Sequence, residues 1–131
     1  MAKIGYLHSI WWGEFMQENM LQKDAVEVIK SSSYGNLGLS INHQPYLRFI
    51  KYTWDTNLGC INIVMDVNKK GIINKIISSN EKVAFLINKC NRCYYESVLI
   101  QGKVCIIKSD NKCRETIVII PDLIEGHRFF Y

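Results

Sequence analysis

The residues best equipped for chemistry in this chain are two cysteines three positions apart and a set of basic side chains on stretches that alternate like strands. Cys90-Asn91-Arg92-Cys93 has the spacing of half a zinc site. Structural zinc takes four ligands, however, and neither a second CxxC nor a paired histidine accompanies it. His8, His43 and His127 are far apart in sequence. A redox dithiol wants an electropositive helix start, whereas this pair reads as a hairpin turn. The expectation is a turn and no metal. Arg48 and Lys51 lie on one alternating stretch with opposite parity, so at most one points along a given face. Lys69, Lys70 and Lys75 surround the start of a helical stretch, where the helix dipole and the lysines suit an anion. A solvated charged face accounts for the same lysines. No G-x-S-x-G elbow or phosphate-cradling G-x-x-x-x-G-K-[ST] loop occurs, nor do paired carboxylates at helical spacing, so hydrolase and kinase chemistry has no carrier.

Composition bounds the rest. A chain of 131 residues that is 48% hydrophobic and 21% charged suits one domain with a real core. A net charge of +4 permits anionic ligands without demanding nucleic acid. The start, MAKIGYLHSIWWGEF, lacks the long apolar run of a signal peptide, and no segment is apolar enough to span a bilayer. Five cysteines without such a signal read as reduced thiols in a cytoplasm.

The elements that must position these residues follow from periodicity. Residues 1–20 form an N-terminal arm whose Trp11, Trp12, Phe15, Met16 and Met20 cover a core or a partner. Leu21, Ala25, Val28 and Ile29 recur at helical spacing and end in three serines. Leu37, Leu39 and Ile41 alternate as a strand that turns at Asn42-His43-Gln44-Pro45. Alternation resumes over Tyr46–Trp54, with a turn at Asp55–Gly59, and Cys60–Met65 is a third strand; the three read as a meander of hairpins. Ile72, Ile73, Ile76 and Ile77 share a helical face. The stretch from Asn80 to Lys108 is the centre: one strand through Val83, Phe85 and Ile87, then one through Val98, Ile100, Val104 and Ile106. Gly102 marks a bulge or a close approach. Asp110 could cap a last helix through Glu115, Thr116–Ile120 favours a strand, and Pro121 ends whatever precedes it. Two helices and about five strands suggest a small closed or nearly closed barrel.

In this order the residues resemble a family. YGNLGLSINHQPYLRFIKYTW, INIVMDVNKKGIINKIISSNEKVAFLI and YYESVLIQGKV are similar to the pyridoxamine 5'-phosphate oxidase-like FMN-binding split barrels, and nearest to their nitroimidazole-resistance branch. Three features carry the likeness: Tyr34-Gly35 leading a strand that turns at Gln44-Pro45-Tyr46, the step Ser79-Asn80-Glu81-Lys82-Val83, and Tyr95-Glu96-Ser97-Val98 before Gly102-Lys103. The resemblance covers residues 24–112. The resemblance implies a mainly β (α+β) domain over residues 1–131, a small antiparallel split β-barrel with an N-terminal helix and one crossover helix. It also implies a homodimer with FMN in a groove between subunits. Arg48, Phe49, Ile50 and Lys51 match a strand lining the flavin; Val64, Met65 and Asp66 match the segment passing its ring and phosphate; Ser97 matches a polar residue beside it. The family often has a lysine where Ile73 stands and contacts the phosphate through it, and its nitroimidazole branch often has a histidine at Asp66. Lys69, Lys70 and Lys75 are then left to supply the charge, or the site holds no phosphate. Family members also continue through a further helix and strand, so residues 109–131 are expected to be a shortened end that leaves part of the wall absent or supplied by a partner.

The expected function is FMN-dependent transfer of hydride or electrons to a small planar substrate, with nitroaromatics as one class and with no side chain required as acid or base. The rival is a barrel that has lost flavin and acts as a ligand-binding or assembly protein. For it, replacing Ile73 with lysine should raise FMN affinity. A nucleic-acid-binding barrel would need Tyr46, Arg48, Tyr52 and Trp54 exposed together; a core or interface role is expected for them instead, with neither nucleic acid nor membrane as partner.

Overall fold

The computed structural model describes residues 16–66, 71–108 and 113–130. In chain order the elements are β1 (Met16–Asn19), α1 (Gln22–Ser31), β2 (Tyr34–Ile41), β3 (Gln44–Lys51), β4 (Thr53–Asp55), β5 (Cys60–Asp66), α2 (Ile72–Ser79), β6 (Lys82–Cys90), β7 (Tyr94–Lys108) and β8 (Arg114–Phe130). All described strands belong to one antiparallel sheet, in the order β3-β2-β6-β7-β8-β5-β4, with β1 on β8. The expected β6–β7 pair is its centre, in register from Lys82↔Lys103 to Cys90↔Tyr95.

Four expectations change. The Tyr46–Trp54 stretch is two strands, interrupted at the single residue Tyr52, although the inward parity of Tyr46, Ile50, Tyr52 and Trp54 continues through the break. The first three strands keep the expected antiparallel hairpins, β2 with β3 and β4 with β5, but the break at Tyr52 puts β3 and β4 at opposite ends of the sheet order. Pro121 does not end an element. It sits inside the 17-residue β8, opposite Gly102, at a shift of register. The wall expected to be missing is therefore present, since β8 pairs with β7 along its length and with β5 and β1 on its other side. Proline lacks an N–H for the ladder, and a bulge opposite a residue without a side chain is where a strand tolerates it. Gly102 is thus explained by backbone: a Cβ there would run into the Ile120 carbonyl. Asp110 and residues 1–15 of the arm lie outside the described residues.

Tyr52 also shows why the sheet curls. It alone separates Lys51 at the end of β3 from Thr53 at the start of β4, so the two ends of the strand order meet. Its N–H donates to Ser33 O at 2.9 Å, and its hydroxyl donates to Ile29 O at 2.6 Å. Ile29 is in the last turn of α1, whose carbonyls have no partner within the helix, so Tyr52 caps the helix from the barrel side. Its ring meets Phe85 edge-on, with centroids 5.2 Å apart.

The core lies within the curl. Leu37, Phe85, Val98, Ile100, Ile119 and Ile61 face inward from successive strands, and Ala25, Val28 and Ile29 of α1 with Ile73, Ile76 and Ile77 of α2 close it. Both helices match their expected faces, except that Leu21 stands before the first turn of α1 and is exposed, and Ile72 sits at the margin.

Candidate functional site

Cross-strand partners share a face, so the ladder registers sort every side chain into inner or outer. The outer face is unusually apolar. Leu47 and Phe49 on β3 are 72% and 71% exposed, and Tyr34 on β2, Val64 on β5, and Ile120 and Leu123 on β8 are also exposed. Tyr34 stacks on Phe49, with centroids 5.3 Å apart and planes 7° from parallel. Lys51 pairs with Tyr34 across the ladder and is exposed beside that stack. A flat aromatic pair with a cation at its edge is the arrangement that receives a planar, negatively charged group.

The candidate residues fall into two groups. Phe49 and Lys51 are on the outer face of β3. Val64 and Asp66 are on the outer face of β5. Tyr52 brings these strands together: Thr53 pairs with Asn62, and the same register continued by two residues would set Lys51 against Val64. Arg48 and Ile50 share the parity of the core; Ile50 packs against it, while Arg48 stays exposed and donates to the Leu47 carbonyl at 3.4 Å. Met65 likewise turns toward the core. Asp66 faces Arg114 across the ladder, so a counter-charge stands opposite the carboxylate that was expected to repel a phosphate. Lys75 is exposed on α2, and Lys69 and Lys70 lie outside the described residues. Ser97 is apart from both groups. It is half-buried on β7, three strands from Lys51 across β2 and β6, or about 14 Å at the usual strand spacing.

Ile73 is 2% exposed and belongs to the core. A lysine there would enter the core rather than reach a phosphate, so Ile73 is no sign that the site has lost an anion. The side chains grouped on the outer face of β3 and β2 fit a phosphorylated ring: Lys51 for the anion, and Phe49 and Tyr34 for the ring.

Sequence reasoning missed His127 and Arg128. His127 pairs with Ser97 on the outer face, its Nε2 3.1 Å from Glu125 Oε1 and its Nδ1 3.2 Å from Gln17 Nε2. Both ring nitrogens are therefore engaged within the fold. On the inner face Arg128 donates from Nη2 to Glu96 Oε2 at 2.8 Å and from Nη1 to Glu18 Oε1 at 3.0 Å, with its guanidinium 4.8 Å from the Tyr94 ring centre. Hydrogen bonding to Glu96, the first cause, pushes the Arg128 pKa up. Both clusters tie β1 to β8. The sequence signal for them was the polar run Glu125-Gly126-His127-Arg128 ahead of Phe129-Phe130. Cys90 and Cys93 flank the β6–β7 turn, closed by Asn91 N to Tyr94 O at 2.9 Å, as the spacing predicts.

No protein-family model and no curated protein matches the sequence. Solved structures do match. A FAD-binding protein from Mesorhizobium loti superposes with a TM-score of 0.77 at 12% identity, over 89% of this chain and 99% of that one. A candidate pyridoxamine 5'-phosphate oxidase from Corynebacterium glutamicum gives 0.74 at 17% identity, over 88% and 100%. A candidate 5-nitroimidazole antibiotic resistance protein from Bacteroides thetaiotaomicron gives 0.71 at 12% identity, over 88% and 89%. Among the described residues no helix is long and apolar enough to cross a membrane. The chain has the split-barrel fold of the pyridoxamine 5'-phosphate oxidase-like proteins.

Proposed function

We propose that this chain is a flavin-binding oxidoreductase, acting as a homodimer in the cytoplasm, that holds FMN on its outer face and passes hydride or electrons to a small planar substrate. The observation that carries the reading is the exposed Tyr34–Phe49 stack with Lys51 at its edge, on a fold shared with proteins described as FAD-binding. Lys51 would neutralise the phosphate. Phe49 and Val64 would flank the ring, and the Ser97 hydroxyl would hydrogen-bond its polar edge. When bound, the flavin supplies the reversible hydride chemistry; the chain's own residues bind, orient and exclude water.

The second copy has a specific task in this reading. Ser97 is too far from Val64 and Asp66 within one subunit to share a ligand with them. Two outer faces laid together would bring Ser97 of one copy to β3 and β5 of the other, and would cover Leu47, Phe49 and Leu123 at the same time.

The test is the visible spectrum of the purified chain together with its mass in solution. A yellow dimer that releases FMN on denaturation supports the reading. A colourless protein that takes up no FMN when titrated with it overturns the reading.

A further inference from the structure

We infer that Cys90 and Cys93 form a two-thiolate site for a soft monovalent cation of the copper(I) class, carried at the exposed tip of the β6–β7 hairpin. Both are reduced thiols and both are exposed. Cys90 ends β6 in the last pair of the ladder, opposite Tyr95, and Cys93 is the residue before β7 begins at Tyr94. Three steps of chain cover only about 10 Å even when extended, and here the chain folds back, so one ion can reach both sulfurs. The turn is already ordered. Asn91 N–H donates to Tyr94 O at 2.9 Å, and Asn91 Oδ1 accepts from Arg92 N–H at 2.6 Å. Lys89 Nζ donates to Ser31 Oγ at 2.9 Å, which ties the end of β6 to α1. A site held this way loses little freedom when it closes on an ion.

The number of ligands selects the ion. Structural zinc takes four, and among the described residues no cluster of three or more metal-ligating side chains forms. The other thiols stand elsewhere. Cys60 is buried, with its Sγ 3.8 Å from Asn62 Oδ1. Cys105 is twelve residues beyond Cys93, about 40 Å along β7 at the usual strand rise. Cys113 precedes β8, whose first residues pair with that same far end of β7. Two sulfurs are too few for zinc, but a filled-shell monovalent ion accepts two in line, and soft thiolates favour it. Each thiol gives up its proton as its bond to the ion forms. Two thiolates around a single positive charge leave one negative charge over. Lys89 and Arg92 alternate with the cysteines, are exposed, and balance it.

The test is competition for copper(I). The full-length protein is titrated, without oxygen and with ascorbate present, into the coloured complex of copper(I) with bathocuproine disulfonate, and the fall in colour reads the transfer. One copper(I) per chain should move to the protein, and an equal concentration of zinc should not displace it. Cys90→Ser and Cys93→Ser should each weaken binding about tenfold or more, because a lone thiolate loses the chelate. Cys105→Ser and Cys113→Ser should leave it unchanged. No transfer, affinity kept by both Cys90→Ser and Cys93→Ser, an equal loss in Cys105→Ser, or displacement by zinc overturns the assignment. Flavin plays no part in this readout, so the site stands or falls apart from the proposed oxidoreductase.

Discussion

Replacing Tyr52 with phenylalanine removes one oxygen from the point where the barrel and α1 meet. The hydroxyl is buried and donates to Ile29 O at 2.6 Å, so its loss leaves a helix-end carbonyl unpaired and out of water. Such a group costs about 1–3 kcal/mol, while the ring and its edge-on contact with Phe85 are retained. For a chain of this length that is a fall in Tm of roughly 3–10 °C. A second signature comes from ionisation. Burial, opposed in part by a hydrogen bond with Ser32, pushes the Tyr52 pKa from 10.0 to about 12. The folded state thus keeps its proton where the unfolded chain loses it. The stabilisation is fully present below pH 10 and is lost as pH rises through about 12, for a total of roughly 3 kcal/mol. Urea unfolding of parent and variant at neutral pH and across the alkaline range reads both effects. Tyr52→Phe should be less stable at neutral pH, and the gap should close as the parent loses its alkaline advantage. Equal midpoints at neutral pH together with parallel alkaline limbs would refute the account of Tyr52 as the helix cap.

Four further substitutions separate the roles argued above. Glu96→Gln should cost about 2 kcal/mol, because it breaks the buried half of the Arg128 pair yet leaves Glu18; Glu18→Gln, at the exposed half, should cost under about 1 kcal/mol by the same denaturation assay. Gly102→Ala forces a Cβ into the Ile120 carbonyl at the bulge and should cost about 1–3 kcal/mol, read as a lower urea midpoint. Ile73→Lys buries an unpaired ammonium beneath α2. It should lower stability by several kcal/mol and give no gain in FMN affinity, measured by flavin fluorescence titration.

Periodicity was enough to find both helices and the β6–β7 centre, because the faces of Ile73, Ile76 and Ile77 and of Val83, Phe85 and Ile87 are buried and hydrophobic burial is what the pattern encodes. The alternation of Tyr46–Trp54 found the inward face of Tyr46, Ile50, Tyr52 and Trp54 but not the break at Tyr52, since a run of residues at every second position does not record where the backbone leaves one edge of a sheet and enters the other. Pro121 misled for a related reason. Its missing N–H matters only if a partner strand needs it, and the partner is Gly102, nineteen positions away in the chain and chosen by the fold.

The candidate site divides in the same way. Lys51, Phe49, Val64 and Asp66 were legible as residue types on strands, and the order of motifs pointed to the split barrel. That Ile73 is core, that Asp66 has Arg114 opposite, that Lys82 faces Lys103 across the β6–β7 ladder, and that Ser97 stands three strands from Lys51 were decided only by tertiary structure. Local sequence sets which side of an element is apolar through the periods of helix and strand. Which elements lie side by side depends on long-range closure of the sheet, and no short stretch of chain carries that information.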